Sequence, residues 1–123
     1  MTLLEAHEFG LLGVPDLPDV MRHQPFQWHH LQIRDSDVPD ERFEAAWPNA
    51  RLQTFEVLKN GGSVVVHCRG GLDRTGMVVA RFLVESGMPA DTAINMVRSA
   101  RSGAIETWEQ EEHVRASVTS QAV

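Results

Sequence analysis

The sequence contains only one cysteine, Cys68, among its 123 residues. An internal disulfide is therefore excluded, and such sparse cysteine is typical of a reducing compartment. The chain also lacks an uninterrupted apolar run of the roughly 20 residues that cross a bilayer. Its first residues reach a carboxylate at Glu5, which does not fit a signal peptide. We therefore expect a cytoplasmic protein with no membrane insertion.

Positive charge is scarce, since 11 Lys and Arg residues face 17 Asp and Glu residues and give a net charge of -6. A nucleic-acid-binding domain usually presents a basic face, so we expect no nucleic-acid partner. An anionic substrate remains compatible, because a few well-aimed donors can bind phosphate inside an acidic protein. The apolar content of 42% suffices for a modest core, and we expect a single domain over residues 1–123.

Hydrophobic patterning predicts helices that alternate with strands. The predicted helices cover residues 3–12, 17–23, 41–59 with an interruption at Pro48, 74–86, 90–101 and a stretch from Thr107. The predicted strands cover residues 27–33 and 63–67, and the second lacks alternation, as a parallel strand covered on both faces does. This order predicts an α/β fold with a small parallel-type sheet flanked by helices.

Two strands alone rarely make a stable sheet. Met1 leads almost directly into a helical pattern, so we expect either that the N-terminal strands are lacking or that a homodimer partner supplies a sheet edge. The helix over residues 41–59 is expected to bury an apolar stripe. Its predicted members are Phe43, Ala46, Trp47, Leu52, Phe55 and Leu58.

The stretch from His67 to Gly76 concentrates residues suited to phosphate chemistry. Five residues separate Cys68 from Arg74, so a tight loop would bring the thiol and the guanidinium to one concavity. Backbone N–H groups between them can converge on phosphate oxygens, and the positive end of the following helix points at the same place. The predicted phosphate-binding residues are Arg69, Gly70, Gly71, Leu72, Asp73 and Arg74.

This loop predicts nucleophilic chemistry at sulfur. Arg74 offers planar bidentate contacts to phosphate and favours the thiolate form of Cys68. The Thr75 hydroxyl is placed to hydrogen-bond the sulfur and ease its later departure. We expect attack of Cys68 on phosphorus, a phosphocysteine intermediate and hydrolysis, without a cofactor. A metal site at His67 and Cys68 is not expected, because adjacent residues lack ligand spacing.

The segment His67–Gly76 matches the pattern His-Cys-x-x-Gly-x-x-Arg-Ser/Thr-Gly, so the chain resembles the cysteine-dependent protein tyrosine and dual-specificity phosphatases. Two further segments, Ile33–Asp40 and Gly103–Gln110, resemble the kinase-associated phosphatase branch of that superfamily. The resemblance extends over roughly residues 28–113. It implies a phosphomonoester hydrolase whose partner is a phosphorylated protein or a small phosphomonoester.

The resemblance also implies roles for residues outside the loop. Asp35 matches the general acid that protonates the leaving oxygen, with Asp37 as its competitor. Gln110 matches a glutamine that helps place the hydrolytic water, and it also has the spacing of a helix-cap partner of Thr107. His67 would support and tune the loop.

Asp73 departs from the pattern, because the kinase-associated branch often has glycine before the arginine. A carboxylate there must point away from bound phosphate or raise the cost of binding a dianion. An aspartate at this place is similar to some phosphoinositide phosphatases, so a phosphoinositide or other non-protein substrate is an alternative. A phosphate-binding pseudophosphatase module is another. A sulfur-transfer enzyme is a third, against which the Arg74 helix start counts.

Overall fold

The computed structural model describes residues 1–70 and 73–121. Within them the chain forms six helices that cover most of the sequence predictions. They are α1 (Ala6–Leu11), α2 (Leu17–Arg22), α3 (Glu41–Lys59), α4 (Asp73–Glu85), α5 (Ala90–Ala100) and α6 (Trp108–Gln121). None of the described helices is long and apolar enough to span a membrane.

Three extended segments run parallel and are joined through the N-terminus. Thr2 forms isolated parallel bridges with His30 on one side and His67 on the other. The Leu31 N–H donates to the Thr2 carbonyl over 2.9 Å, and the Leu3 N–H donates to the His67 carbonyl over 3.0 Å. In the described ranges these segments do not extend into named strands, so the predicted sheet is not confirmed.

The start of the first helix was predicted wrongly. α1 begins at Ala6 rather than Leu3, and Leu3 and Leu4 lie buried in the extended segment. Local apolar spacing favoured a helix there, but backbone pairing with the segments on both sides determines the conformation. The first residues of the chain thus form the middle one of the three segments.

Helix α3 runs unbroken through Pro48, and Asp40 caps it by accepting from the Phe43 N–H over 3.2 Å. Its buried residues are Phe43, Trp47, Ala50 and Thr54, which follow helical spacing from the first turn. The predicted stripe was therefore partly wrong. Four of its members, Ala46, Leu52, Phe55 and Leu58, are exposed because they fall off that face.

Helix α4 lies at the centre of the core, where Met77 and Val78 are buried with Ile94 of α5 and Val114 of α6. One arginine, Arg81, ties this helix to its surroundings. Its guanidinium donates to Glu44 of α3 and to Glu85 one turn on, both over 2.6 Å. This anchoring fixes the helix whose first turn carries Asp73 and Arg74, two of the predicted phosphate-binding residues.

Candidate active site

Cys68 and Thr75 meet at the base of the loop that joins the third extended segment to α4. The Cys68 side chain is buried, and the Thr75 hydroxyl donates to its Sγ over 3.0 Å. Gly70 has a φ of 80°, in the left-handed region that glycine adopts without strain. Its carbonyl accepts from Arg101 over 2.9 Å, while Arg69 is exposed.

Two of the predicted phosphate-binding residues, Gly71 and Leu72, lie outside the described residues. The two ends of the loop are nevertheless defined. Cys68 and Gly70 stand on one side, and Asp73 opens α4 on the other. The predicted order of extended segment, loop and helix start is therefore present.

Arg74 is completely buried and held by a glutamate. Its Nη1 and Nη2 donate to Oε1 and Oε2 of Glu8 over 2.6 and 3.0 Å, and Nη1 also donates to the Ile33 carbonyl over 3.0 Å. The Arg74 Nε has no hydrogen-bond partner among the described residues. The guanidinium is thus held through Nη1 and Nη2, and its Nε–H remains available to another acceptor.

Glu8 and Arg74 remain charged inside the fold. Burial alone raises the pKa of Glu8, but the hydrogen bonds and charge of Arg74 outweigh it and bring that pKa below its ordinary value. Burial likewise opposes the charge on Arg74, yet Glu8 raises its pKa. The sequence analysis missed Glu8. The two residues are 66 positions apart, so no local pattern could pair them.

The two candidate general acids occupy different surroundings. Asp35 places its Oδ1 3.5 Å from Nη2 of Arg74, and its side chain is 58% exposed. The carboxylate of Asp37 instead accepts from the N–H of the next residue, Val38, over 2.7 Å. Of the two carboxylates, only that of Asp35 contacts Arg74 in the described part of the chain.

Gln110 is buried, and its amide is shared between a helix cap and the loop that carries Asp35. Its Oε1 accepts from the Thr107 N–H over 3.2 Å, and its own N–H donates to the Thr107 hydroxyl over 3.1 Å. The predicted capping pair is therefore confirmed. The Gln110 Nε2 donates to the Asp37 carbonyl over 3.1 Å and so ties α6 to that loop.

Asp73 is 4% exposed and lies between the two loops. Its Oδ2 accepts from the Ser36 N–H over 3.1 Å, and its Oδ1 is 4.0 Å from Cys68 Sγ. The carboxylate is thus bound by the neighbouring loop at one oxygen. The other oxygen stays close to the sulfur.

His67 belongs to a chain of hydrogen bonds behind the loop. Trp28 Nε1 donates to the Thr2 hydroxyl oxygen over 2.7 Å, and that oxygen is 2.6 Å from His67 Nε2. Burial first, and then the charge of the N-terminal amine, lowers the pKa of His67. The contact between Thr2 and His67 fastens the segment before Cys68 to the first residues of the chain.

A metal ion needs several donor side chains arranged around one point. The described residues contain no group of three or more histidine, cysteine, aspartate or glutamate side chains arranged to hold a metal ion. Among the described residues, the side chains that hydrogen-bond Cys68 Sγ are those of Thr75, at 3.0 Å, and Asp73, at 4.0 Å.

Comparisons with known proteins agree on one family. The family model for the dual specificity phosphatase, catalytic domain, matches residues 17–116. The rat protein named cyclin-dependent kinase inhibitor 3 is 32% identical over 106 residues, which cover 84% of this chain and 49% of that protein. A probable protein tyrosine phosphatase type IVA B of Dictyostelium discoideum is 36% identical over 80 residues, covering 64% of this chain and 49% of the relative.

A solved structure extends the match to nearly the whole fold. A kinase associated phosphatase, crystallised with its catalytic-site cysteine substituted by serine, superposes with a TM-score of 0.85. The two chains are 27% identical, and the match covers 99% of this chain and 68% of that one. The chain spans about half the length of the two curated relatives. With the loop of Cys68 and Arg74 and a family match over residues 17–116, the chain belongs to the dual-specificity phosphatase family.

Proposed function

We propose that the protein is a cysteine-dependent protein tyrosine or dual-specificity phosphatase that works through a phosphocysteine at Cys68. The observation that carries the proposal is the convergence of three groups on one loop. The Thr75 hydroxyl lies 3.0 Å from the sulfur, and the fixed guanidinium of Arg74 keeps an Nε–H that has no partner among the described residues. A phosphoryl oxygen would satisfy that buried donor.

The first chemical step forms the sulfur–phosphorus bond. The thiolate of Cys68 attacks phosphorus while the bond to the leaving oxygen breaks. Arg74 and the loop N–H groups stabilise the charge on the phosphoryl oxygens. Asp35 gives its proton to the leaving oxygen, a role supported by its position 3.5 Å from the Arg74 guanidinium.

The second step releases phosphate. Water attacks phosphorus, Asp35 takes up its proton, and sulfur leaves as the thiolate that accepts the Thr75 hydrogen bond. Gln110 holds the Asp35 loop through the Asp37 carbonyl, which supports a positioning role. Contact of Gln110 with the hydrolytic water stays a prediction.

The proposed substrate is a phosphorylated protein or a small phosphomonoester, with a phosphoinositide as the alternative that Asp73 raises. We place the activity in the cytoplasm, in a single domain over residues 1–123, with no nucleic-acid partner and no resident metal or cofactor. The three parallel segments would then correspond to the small parallel sheet of the predicted fold. A homodimer stays a prediction.

The test uses 4-nitrophenyl phosphate with wild type and Cys68→Ser. We expect turnover by wild type and none by the variant, and equal rates would overturn the proposal. Asp35→Asn and Asp37→Asn are then compared in pH–rate profiles. Loss of the basic limb is expected for Asp35→Asn, and its appearance in Asp37→Asn alone would reassign the acid.

The second candidate is a phosphate-binding pseudophosphatase module. It is favoured by Glu8, which already binds the guanidinium of Arg74, and by the Asp73 carboxylate, which lies 4.0 Å from the sulfur. Protection by tungstate in a thermal-shift assay, with no turnover across phosphotyrosine, phosphothreonine and phosphoinositides, would favour this candidate.

A further inference from the structure

The loop over residues 34–40 carries Asp35 and is held from two sides. On one side Gln110 donates to the Asp37 carbonyl over 3.1 Å. On the other, the Ser36 N–H donates to the Asp73 carboxylate over 3.1 Å. The second contact involves the residue next to Asp35, so it bears most directly on where Asp35 lies.

Ser36 has a backbone conformation that needs support. Its φ is 59°, in the left-handed region that residues other than glycine seldom adopt. The conformation persists when surrounding contacts outweigh its cost. A hydrogen bond to a buried carboxylate is of the strong, charge-assisted kind. Asp73 therefore supplies the support on the side of the phosphate loop.

We propose that Asp73 is a positioning residue that latches the Asp35 loop onto the phosphate loop through the Ser36 N–H. The inference rests on the proposed phosphatase function. The latch explains why a carboxylate stands at a position where its charge opposes substrate binding. With one oxygen 4.0 Å from the sulfur, Asp73 repels both a thiolate and a phosphate dianion.

The latch has two opposite effects on catalysis. It raises the rate at which a poor leaving group departs, since Asp35 must lie close enough to protonate the leaving oxygen. It also weakens substrate binding, because the negative charge lies inside the phosphate loop. A merely structural role for Asp73 would not separate these two effects.

The test measures kcat and KM for phenyl phosphate and 4-nitrophenyl phosphate in wild type, Cys68→Ser, Asp73→Ala and Asp73→Asn. For Asp73→Ala we expect kcat/KM on phenyl phosphate to fall about tenfold relative to kcat/KM on 4-nitrophenyl phosphate, a part of the factor of about 100 or more that a placed acid contributes. 4-Nitrophenolate is the better leaving group and depends less on protonation by Asp35, and kcat/KM covers only the steps up to formation of the phosphocysteine. KM should fall for both substrates.

Asp73→Asn retains an acceptor oxygen for the Ser36 N–H and loses the charge. It should recover most of the relative loss of kcat/KM on phenyl phosphate while keeping the lower KM. In an Asp35→Asn background, Asp73→Ala should cause little further loss of kcat/KM on phenyl phosphate, since the latch acts through Asp35. Glu112→Ala, an exposed carboxylate on α6, is the matched control.

The outcomes separate the latch from the phosphatase itself. A wild type no faster than Cys68→Ser overturns the proposed function and the latch with it. An active wild type whose Asp73→Ala variant changes kcat/KM equally on both substrates, or adds its full loss to that of Asp35→Asn, overturns the latch alone. Circular dichroism checks folding, and Asp73→Gly replaces alanine under the same criteria if that variant unfolds.

Discussion

At the scale of the residue, the hydroxyl of Thr75 is expected to act on the second chemical step. It donates to Cys68 Sγ over 3.0 Å, and a hydrogen bond to a charged group contributes about 1.5–3 kcal/mol. Thr75→Val should slow hydrolysis of the phosphocysteine about tenfold or more. Stopped-flow assay with 4-nitrophenyl phosphate should then record a burst of nitrophenol followed by slow turnover.

Thr75→Ser is the matched control for this prediction, because it keeps the hydroxyl and removes only the methyl group. It should turn over without a burst. A valine variant that keeps the wild-type kcat would show that the sulfur leaves without help from position 75.

The ion pair of Glu8 and Arg74 gives a second prediction. Glu8→Gln leaves a buried guanidinium without its carboxylate, a change that costs about 3 kcal/mol in comparable buried pairs. Urea denaturation should report that loss. kcat/KM should fall as well, because the plane of Arg74 is no longer held by two hydrogen bonds.

The control for Glu8 is Glu56→Gln, an exposed carboxylate on α3. It should leave both stability and kcat/KM near the wild-type values. If Glu8→Gln matches this control in stability, the buried pair contributes nothing net and the charge of Arg74 is compensated elsewhere.

Sequence and structure agree at this scale wherever a contact is local. Cys68 and Thr75 are seven positions apart, so the spacing of the loop predicts that they meet, and they do. Glu8 contacts Arg74 from 66 positions away along the chain, and the Ser36 N–H contacts Asp73 from 37 positions away. Such contacts depend on how elements pack, and no spacing rule predicts them.

At the scale of the element, α3 contains a buried hydroxyl with no partner. Thr54 is 8% exposed, and its Oγ1 has no hydrogen bond among the described residues. Valine has nearly the same shape and removes an unsatisfied polar group, whose burial costs about 1–3 kcal/mol. Thr54→Val should therefore raise the free energy of unfolding by about 1 kcal/mol in urea denaturation.

Thr2→Val is the matched comparison, because the Thr2 hydroxyl is buried and bonded to both Trp28 and His67. The same substitution there should destabilise the protein. Two variants that shift stability in the same direction would contradict the assignment of Thr54 as unpartnered and Thr2 as bonded.

Element boundaries were predictable where periodicity and caps coincide. Asp40 marks the start of α3, and the capping pair of Thr107 and Gln110 marks that of α6. The segment before α1 is the exception, because Thr2 and Glu5 have the capping-box spacing and apolar residues follow Thr2, yet no helix begins there. Its conformation depends on pairing with residues far along the chain, which its own sequence does not contain.

At the scale of the whole molecule, burial lowers the pKa of four basic groups. It is the largest cause that lowers the pKa of the N-terminal amine, His29, His67 and His113. Each folded-state pKa therefore lies below the ordinary value of 8.0 for the amine or 6.5 for histidine. The unfolded chain binds more protons than the folded one as the pH falls through these values.

Stability should therefore decrease as the pH falls. The contribution of these groups is fully present above pH 8.0 and is lost as the pH drops below 6.5 and through the lowered values. Glu8 and Glu44 have pKa values below the ordinary 4.5, so their ion pairs persist throughout this window. Urea midpoints should decrease from pH 8 to pH 5.

His113 provides the control, because its ring faces Arg81 of α4, with Glu44 and Glu85 on the same guanidinium. Arg81 adds to burial in lowering its pKa, while the two glutamates oppose it. His113→Gln removes this titration and should flatten the decline in stability without abolishing it, since His29 and His67 remain. A midpoint that stays constant from pH 8 to pH 5 in wild type would mean that these rings gain protons in the fold as readily as in the unfolded chain.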